Sequence, residues 1–266
     1  MKICTTNSSD MISAIRRYGV EIASLCVAVV IWQLTAPHVV RGNFTLPGFT
    51  DVLASFCSLW DVMLTDAATS LLHFGIGMAA GICVAIPLGV GMGWFPVIDR
   101  IFDPIIEILR PIPPLAWIPF AIAFIGLTHT SAGTIVFIGA VFPILINTYQ
   151  GFRNVPKVLI EAAMVLGCTR NYDLIRKVAF PSAIPDIATG IRVAMGVAWM
   201  CVVAAEMFGV STTGIGYKIS HWVHFYRMDH VMAYMLLLGF IALIIDRVFR
   251  FLVDERLFRW RKGVIA

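Results

Sequence analysis

Six stretches of this sequence stay apolar for about the 20 residues that a helix needs to cross a bilayer: 18–36, 67–95, 111–127, 132–149, 186–210 and 231–253. No motif constrains the fold as strongly, because inside lipid every backbone amide must find its partner within the chain. Of the 266 residues, 59% are hydrophobic and 14% charged, against about 25% charged in ordinary soluble domains. The expected fold is all-α: a polytopic membrane helical bundle of about six transmembrane helices, forming one transmembrane domain over residues 1–266. Arg16 and Arg17 precede the first run as they would in a signal peptide. "QLTAPHVV" after it lacks a small-x-small cleavage site, so the run is read as a span.

Lys and Arg collect on the cytoplasmic side of membrane proteins. With the N-terminus inside, Lys2, Arg16, Arg17, Arg100, Arg110, Arg153, Lys157, Arg170, Arg176, Lys177 and the cluster at 247–262 all fall inside. Arg41, Lys218 and Arg227 fall outside, and Arg192 at a helix end. Both termini are then cytoplasmic. The net charge of +4 follows from this topology and gives no support to nucleic-acid binding. The six cysteines are scattered without a CxxC pair, so neither a disulfide framework nor a metal centre is expected.

Between the first two runs, "GNFTLPGFTDVLASFCSLW" places Val52, Leu53, Phe56, Leu59 and Trp60 at helical spacing, with Thr50 as the cap. A helix on the outer membrane surface and a packed outer loop are both open. Gly75, Gly77, Gly81, Gly89, Gly91 and Gly93 in the second run suit close helix packing. A phosphate-cradling loop would need a Lys followed by Ser or Thr, which is missing. Pro111, Pro113 and Pro114 should start the third helix, with a bend near Pro119.

The apolar pattern stops at about 151–185. Pro156 opens a short helix with Val158, Leu159, Ala162 and Val165 on one face, and Gly167 stands where a left-handed cap would close it. Thr169 or Asn171 begins a second helix carrying Leu174, Ile175 and Val178, which Pro181 should stop. Glu161 is placed to accept hydrogen bonds at the corner, beside the small Ala162 and Ala163. On these residues alone, a partner-docking surface and an ordinary solvated loop are equally open.

"EAAMVLG" (161–167) followed by "LIRKVAFPSAIP" (174–185) resembles the EAA loop of permease subunits in binding-protein-dependent ATP-binding-cassette importers. Glu161, Ala162, Ala163, Gly167, Ile175 and Pro181 match that pattern, and Phe180 stands where many members have leucine. "LRPIPPLAWIPFAIAFIG", "FPILINTYQGFRNV", "VAAEMFG" and "GIGY" are similar to the branch that carries nitrate, sulfonates and taurine. The resemblance implies a type I importer permease working as a homodimer, with the six loop residues docking on separate cytoplasmic ATPase subunits. It also implies an extracytoplasmic solute-binding protein as partner and the plasma (inner) membrane of a prokaryote as location. ATP and Mg would be bound by the ATPase, leaving this chain without a cofactor and without hydrolytic activity. The substrate implied is a small oxyanion, a sulfonate, taurine or nitrate, with bicarbonate and pyrimidine-like compounds in reserve.

In the fifth run Arg192, Met195, Trp199, Val202 and Glu206 share one helix face, its charged ends about 21 Å apart at 1.5 Å per residue. That face is either the translocation pathway, with Met195, Trp199, Val202 and Glu206 lining it, or a dimer-packing seam. "HWVHFYRMDH" reads as an aromatic interface belt rather than a site for metal, and Glu107 with Arg110 as a local ion pair. An intramembrane hydrolase would require a Ser-His or paired-Asp constellation, and no GxSxG or HExxH is present. A gradient-driven secondary transporter usually carries inverted repeats, and the two halves show no internal copy.

Overall fold

The computed structural model describes residues 8–41 and 44–253. The helices in chain order are α1 (Ser8–Thr35), α2 (Phe49–Ser58), α3 (Trp60–Trp94), α4 (Pro96–Leu109), α5 (Ile118–Ile125), α6 (His129–Arg153), α7 (Lys157–Val165), α8 (Asn171–Leu174), α9 (Phe180–Met207), α10 (Ile215–His224) and α11 (Met228–Leu252). Among the described residues, strand structure is confined to a two-residue antiparallel pairing, β1 (Val40–Arg41) with β2 (Phe44–Thr45). Lys2, Cys4 and the cationic residues beyond 253 lie outside the described residues.

Four helices are long and apolar enough to cross a membrane: Trp60–Trp94, His129–Arg153, the continuous Asn171–Met207 and Met228–Leu252. The bent pair Pro96–Leu109 and Pro114–Ile125 adds a fifth crossing when counted as one span. The first expected run falls on α1 and the start of the 3-10 turn Ala36–His38 that follows it, where Cys26–His38 is a shorter apolar helix. The count of about six therefore becomes four or five among the described residues.

The core is a three-helix seam of α3, α6 and α9. Its tight side is made by the glycines of α3. A Cβ at Gly77 would stand 2.4 Å from the Val136 Cβ, and one at Gly89 would stand 2.8 Å from the Thr148 Cβ. One at Gly93 would stand 2.5 Å from the Phe152 Cβ. Lipid provides no hydrophobic drive between helices, so this closeness gains its stability from dispersion contacts along the whole seam. The packing reading holds for Gly77, Gly81, Gly89 and Gly93, whereas Gly75 has nothing within 4 Å and Gly91 meets only Ile98 of α4.

Three local expectations are corrected. The third span does not bend at Pro119. The chain turns by 86° between α4 and the Pro114–Trp117 turn of 3-10 helix, and Pro119 sits in the first turn of α5. Successive prolines without N–H groups deny α4 its continuation, so the break falls before them. Pro181 does not stop a helix either. Residues Ile175–Ala179 form a π turn in which the Phe180 N–H donates to the Ile175 carbonyl. The wider turn makes room for the Pro181 ring, and α8 runs on into α9 without interruption. Finally, α2 is capped from Gly48, whose N–H donates to Asp51 Oδ2 at 3.2 Å, while the Thr50 N–H donates to Gln33 Oε1. Val52 and Ser55 are buried, so this outer helix is packed against the bundle.

Candidate functional site

The corner between α7 and α8 is built by backbone chemistry at Gly167. Its φ of +94° is a conformation that side chains strain. It lets the Gly167 N–H donate to the Met164 carbonyl and the Cys168 N–H to the Ala163 carbonyl, both at 3.0 Å. These two bonds are the paired C-terminal closure of a Schellman motif. They satisfy the last carbonyls of α7 and turn the chain sharply into α8. Ala163, Leu174 and Ala179 are buried beneath the corner, and Ile160 and Ile175 are half-buried against Phe152, Val155, Ala183 and Ile187. The corner is therefore fixed to the bundle from below.

Its outer surface is apolar and uncovered. Val165 is 87% and Leu166 85% exposed, with Val158, Leu159, Met164 and Tyr172 also exposed. Glu161 and Ala162 are exposed as well, and among the described residues Glu161 accepts no hydrogen bond. Of the six loop residues, Glu161, Ala162 and Gly167 face outward, Ala163 supports them, and Ile175 and Pro181 lie in the π-bulged continuation.

At the other end of α9 the structure builds a second constellation, which the sequence did not disclose. Glu206 is fully buried. It accepts from Ser70 Oγ on both oxygens at 2.9 Å, from His73 Nδ1 at 2.8 Å and from the Gly216 N–H at 2.8 Å. Asp66, also buried, accepts from the Gly214 N–H at 3.2 Å and from the Tyr234 hydroxyl at 2.8 Å, and Ser70 Oγ accepts from the Ile215 N–H at 2.9 Å. Three successive amides at the start of α10 are thus met by three side chains, two of them carboxyl groups facing the positive end of that helix. The close fit explains "GIG": at Gly214, whose φ is +125°, a Cβ would lie 2.4 Å from Glu206 Cδ, and at Gly216 one would lie 2.3 Å from the Val203 carbonyl oxygen.

His73 extends this knot outward. Its Nε2 lies 2.8 Å from His129 Nδ1, within hydrogen-bond distance. His129 is exposed at the first turn of α6. The clue available in the sequence was the polar stripe Asp66, Ser70 and His73, spaced four and three along an otherwise apolar helix.

The structure divides the expected pathway face. Met195 and Trp199, with Arg192, line a cavity of about 270 Å³ beside Phe74, Ile245 and Asp246. Met195 and Trp199 are themselves buried, at 9% and 6% exposure, and Val202 and Glu206 are fully enclosed. Arg192 Nε donates to Asp246 Oδ1 at 3.0 Å, and Arg250 also pairs with Asp246. Glu107 and Arg110 form no ion pair, although Arg110, the C-cap of α4, keeps helical backbone angles and donates its N–H to the Ile106 carbonyl. In "HWVHFYRMDH", His221 stacks on Tyr217 and packs against Trp222 and Phe225, an aromatic cluster.

Membrane-length helices in a glycine-tight bundle, one of them broken, with an exposed glycine-cornered loop between two spans, define a polytopic membrane protein of the transport class. Residues 77–256 match the family of binding-protein-dependent transport system inner membrane components, and the chain belongs to that family. It is 42% identical over 248 residues to an ABC transporter permease protein of Methanocaldococcus jannaschii, covering 91% of this chain and 92% of that one. It is 30% identical over 256 residues to the taurine transport system permease protein of Escherichia coli, covering 94% and 92%. To the nitrate import permease protein of a Synechocystis species it is 34% identical over 240 residues, 86% of each chain. The fold is similar to that of the methionine ABC transporter MetNI in inward-facing form, with a TM-score of 0.61 at 20% identity, over 75% of this chain and 96% of that one.

Proposed function

We propose that this chain is the membrane-spanning permease subunit of an ATP-driven importer, and that two copies enclose the passage. The carrying observation is the exposed apolar face of Val165 and Leu166 on a corner rigidly closed at Gly167. A contiguous exposed apolar patch of this kind marks a surface that a partner covers. The partner proposed is a pair of cytoplasmic ATP-binding-cassette ATPase subunits, which bind ATP and Mg. Glu161, Ala162, Ala163, Gly167, Ile175 and Pro181 form or support the contact, and this chain itself hydrolyses nothing. The membrane is the plasma membrane of a prokaryote, with both termini in the cytoplasm and a solute-binding protein meeting the outer face.

The cargo proposed is a small oxyanion such as taurine, another sulfonate or nitrate. Relatives named for taurine and nitrate transport support that class. The face of Met195, Trp199, Val202 and Glu206 is proposed as a wall of the passage, with Met195 and Trp199, buried but bordering the cavity, nearest its opening and the fully enclosed Val202 and Glu206 anchoring it. The test is Gly167→Asp in the complete importer reconstituted in vesicles. A side chain at this φ strains the corner, so ATP-driven uptake should be lost while the variant still inserts and purifies. Full uptake by Gly167→Asp refutes the docking assignment.

A further inference from the structure

None of the 14 residues of α4 is buried. The helix meets the bundle along one narrow side, where Ile98, Asp99, Ile106 and Leu109 are half-buried, and it leaves two flanks uncovered. The flanks are opposite in character. Val97, Ile101, Ile105 and Ile108 recur every three or four residues on one of them and are 48–72% exposed. Arg100, Asp103, Glu107 and the C-cap Arg110 recur in the same way on the other and are also exposed. Asp103, Glu107 and Arg110 border a groove of about 630 Å³ against Tyr149 and Gln150 of α6.

No single solvent suits both flanks. In water the four aliphatic side chains would form an uncovered apolar patch. In lipid the four charged groups would be costly, and among the described residues none of them has an ion-pair partner. A helix with such faces belongs at the membrane boundary, and α4 is placed there. Asp99 in its first turn pairs with Arg153, the last residue of α6, at 3.0 Å, and Gly93 at the end of α3 lies against Phe152. The helix therefore begins where both spans end. Arg110 shares a cavity with Ile146 and Asn147, six or seven residues earlier on α6, so α4 descends along α6 by about 10 Å at 1.5 Å per residue. Interfacial helices bury their apolar face about 5–10 Å deep.

A second copy of the chain fits the apolar flank poorly. Membrane helices approach one another through small residues, as α3 does toward α6 at Gly77, Gly89 and Gly93, whereas this stripe holds only valine and isoleucine. Lipid tails demand no such fit. We infer that α4 is a partition between lipid and water. Its stripe of Val97, Ile101, Ile105 and Ile108 is seated in the acyl boundary of the leaflet where α3 and α6 end, and its charged flank keeps the groove against α6 hydrated. The partner is the lipid surface, and the assignment does not depend on the importer reading.

The test uses the full-length chain with every cysteine except the buried Cys201 replaced by serine. Ile101→Cys, Ile105→Cys and Ile108→Cys probe one flank, and Arg100→Cys, Asp103→Cys and Glu107→Cys the other. All six positions are exposed, so a nitroxide label there displaces no packing contact. In phosphatidylcholine vesicles, collision rates are read with oxygen, which concentrates in lipid, and with a neutral nickel chelate, which stays in water. The ratio of oxygen to chelate collisions should be severalfold higher on the isoleucine flank, alternating with the helical period. Equal or reversed ratios overturn the inference. Exclusion of both reagents from the three isoleucine positions, with dipolar broadening between labels, overturns it in favour of a second copy covering that flank. None of these results touches the importer reading, which fails separately if the unmodified complex shows no ATP-driven uptake.

Discussion

Replacing Glu206 with leucine should damage this protein more than any change at its exposed carboxylates. The side chain keeps its approximate size, but Ser70 Oγ, His73 Nδ1 and the Gly216 N–H all lose their acceptor. Each sits where water does not reach, since Ser70 is 1% and His73 and Glu206 are 0% exposed. A buried donor left unsatisfied costs about 1–3 kcal/mol. Three such donors put the loss at about 3 kcal/mol or more, a large share of the roughly 5–15 kcal/mol that holds a typical domain together. For a chain of this size that corresponds to a fall in melting temperature of about 6–12 °C at the lower figure. Glu206→Gln retains one acceptor oxygen and should fall between this variant and the parent. Glu161→Leu is the control: it is exposed and unbonded, so it should stay within about 0.5 kcal/mol. Thermal unfolding of the three purified variants in one detergent is the assay. If Glu206→Leu melts with Glu161→Leu, the three-donor account is wrong.

Gly77→Val should weaken the α3–α6 seam, because its first added carbon already overlaps Val136 at 2.4 Å; overpacking of this kind costs about 1–3 kcal/mol or more, readable as a lower melting temperature. Cysteine at Met195, which borders the cavity by Trp199, should react with a soluble thiol reagent in one nucleotide state of the assembled importer, and no labelling in any state would remove that face from the passage. Asp246→Asn frees Arg192 and Arg250, but these partly exposed pairs are worth about 0–1 kcal/mol. The melting temperature should therefore hardly move, and a large drop would show the pairs to be shielded from solvent.

The parts of the fold that could be read from the sequence are those set by local chemistry. The run at 132–149 falls inside a helix of membrane length, those at 186–210 and 231–253 match such helices to within three residues at their ends, and Gly167 adopts the left-handed φ that its position after Leu166 required. Proline rules were less dependable. Pro181 lacks a donor as expected, yet a helix has the option of widening into a π turn, which residue types alone do not announce. The break at Arg110 was misplaced for a related reason, since the prolines mark where a helix restarts more clearly than where the chain turns. The Glu206 knot was hidden because its members come from distant sequence. Ser70 meets Glu206 across 136 positions and Asp66 meets Tyr234 across 168. Only the stripe on α3 hinted that something polar had to face it.

The π turn that accommodates Pro181 has a mechanical consequence. Because it widens the helix instead of breaking it, Asn171–Met207 is one rod of 37 residues, about 55 Å long at 1.5 Å per residue. The corner at Gly167 adjoins one end, and the Glu206 knot lies within one turn of the other. A tilt of about 5° at the Gly167 end, pivoting on the seam with α6, would swing the ends relative to each other by about 5 Å over that length. A movement small enough to leave the glycine packing intact is thereby magnified into one as wide as a small solute, so the rod acts as a lever whose stiffness decides how much of a push at one membrane face reaches the other.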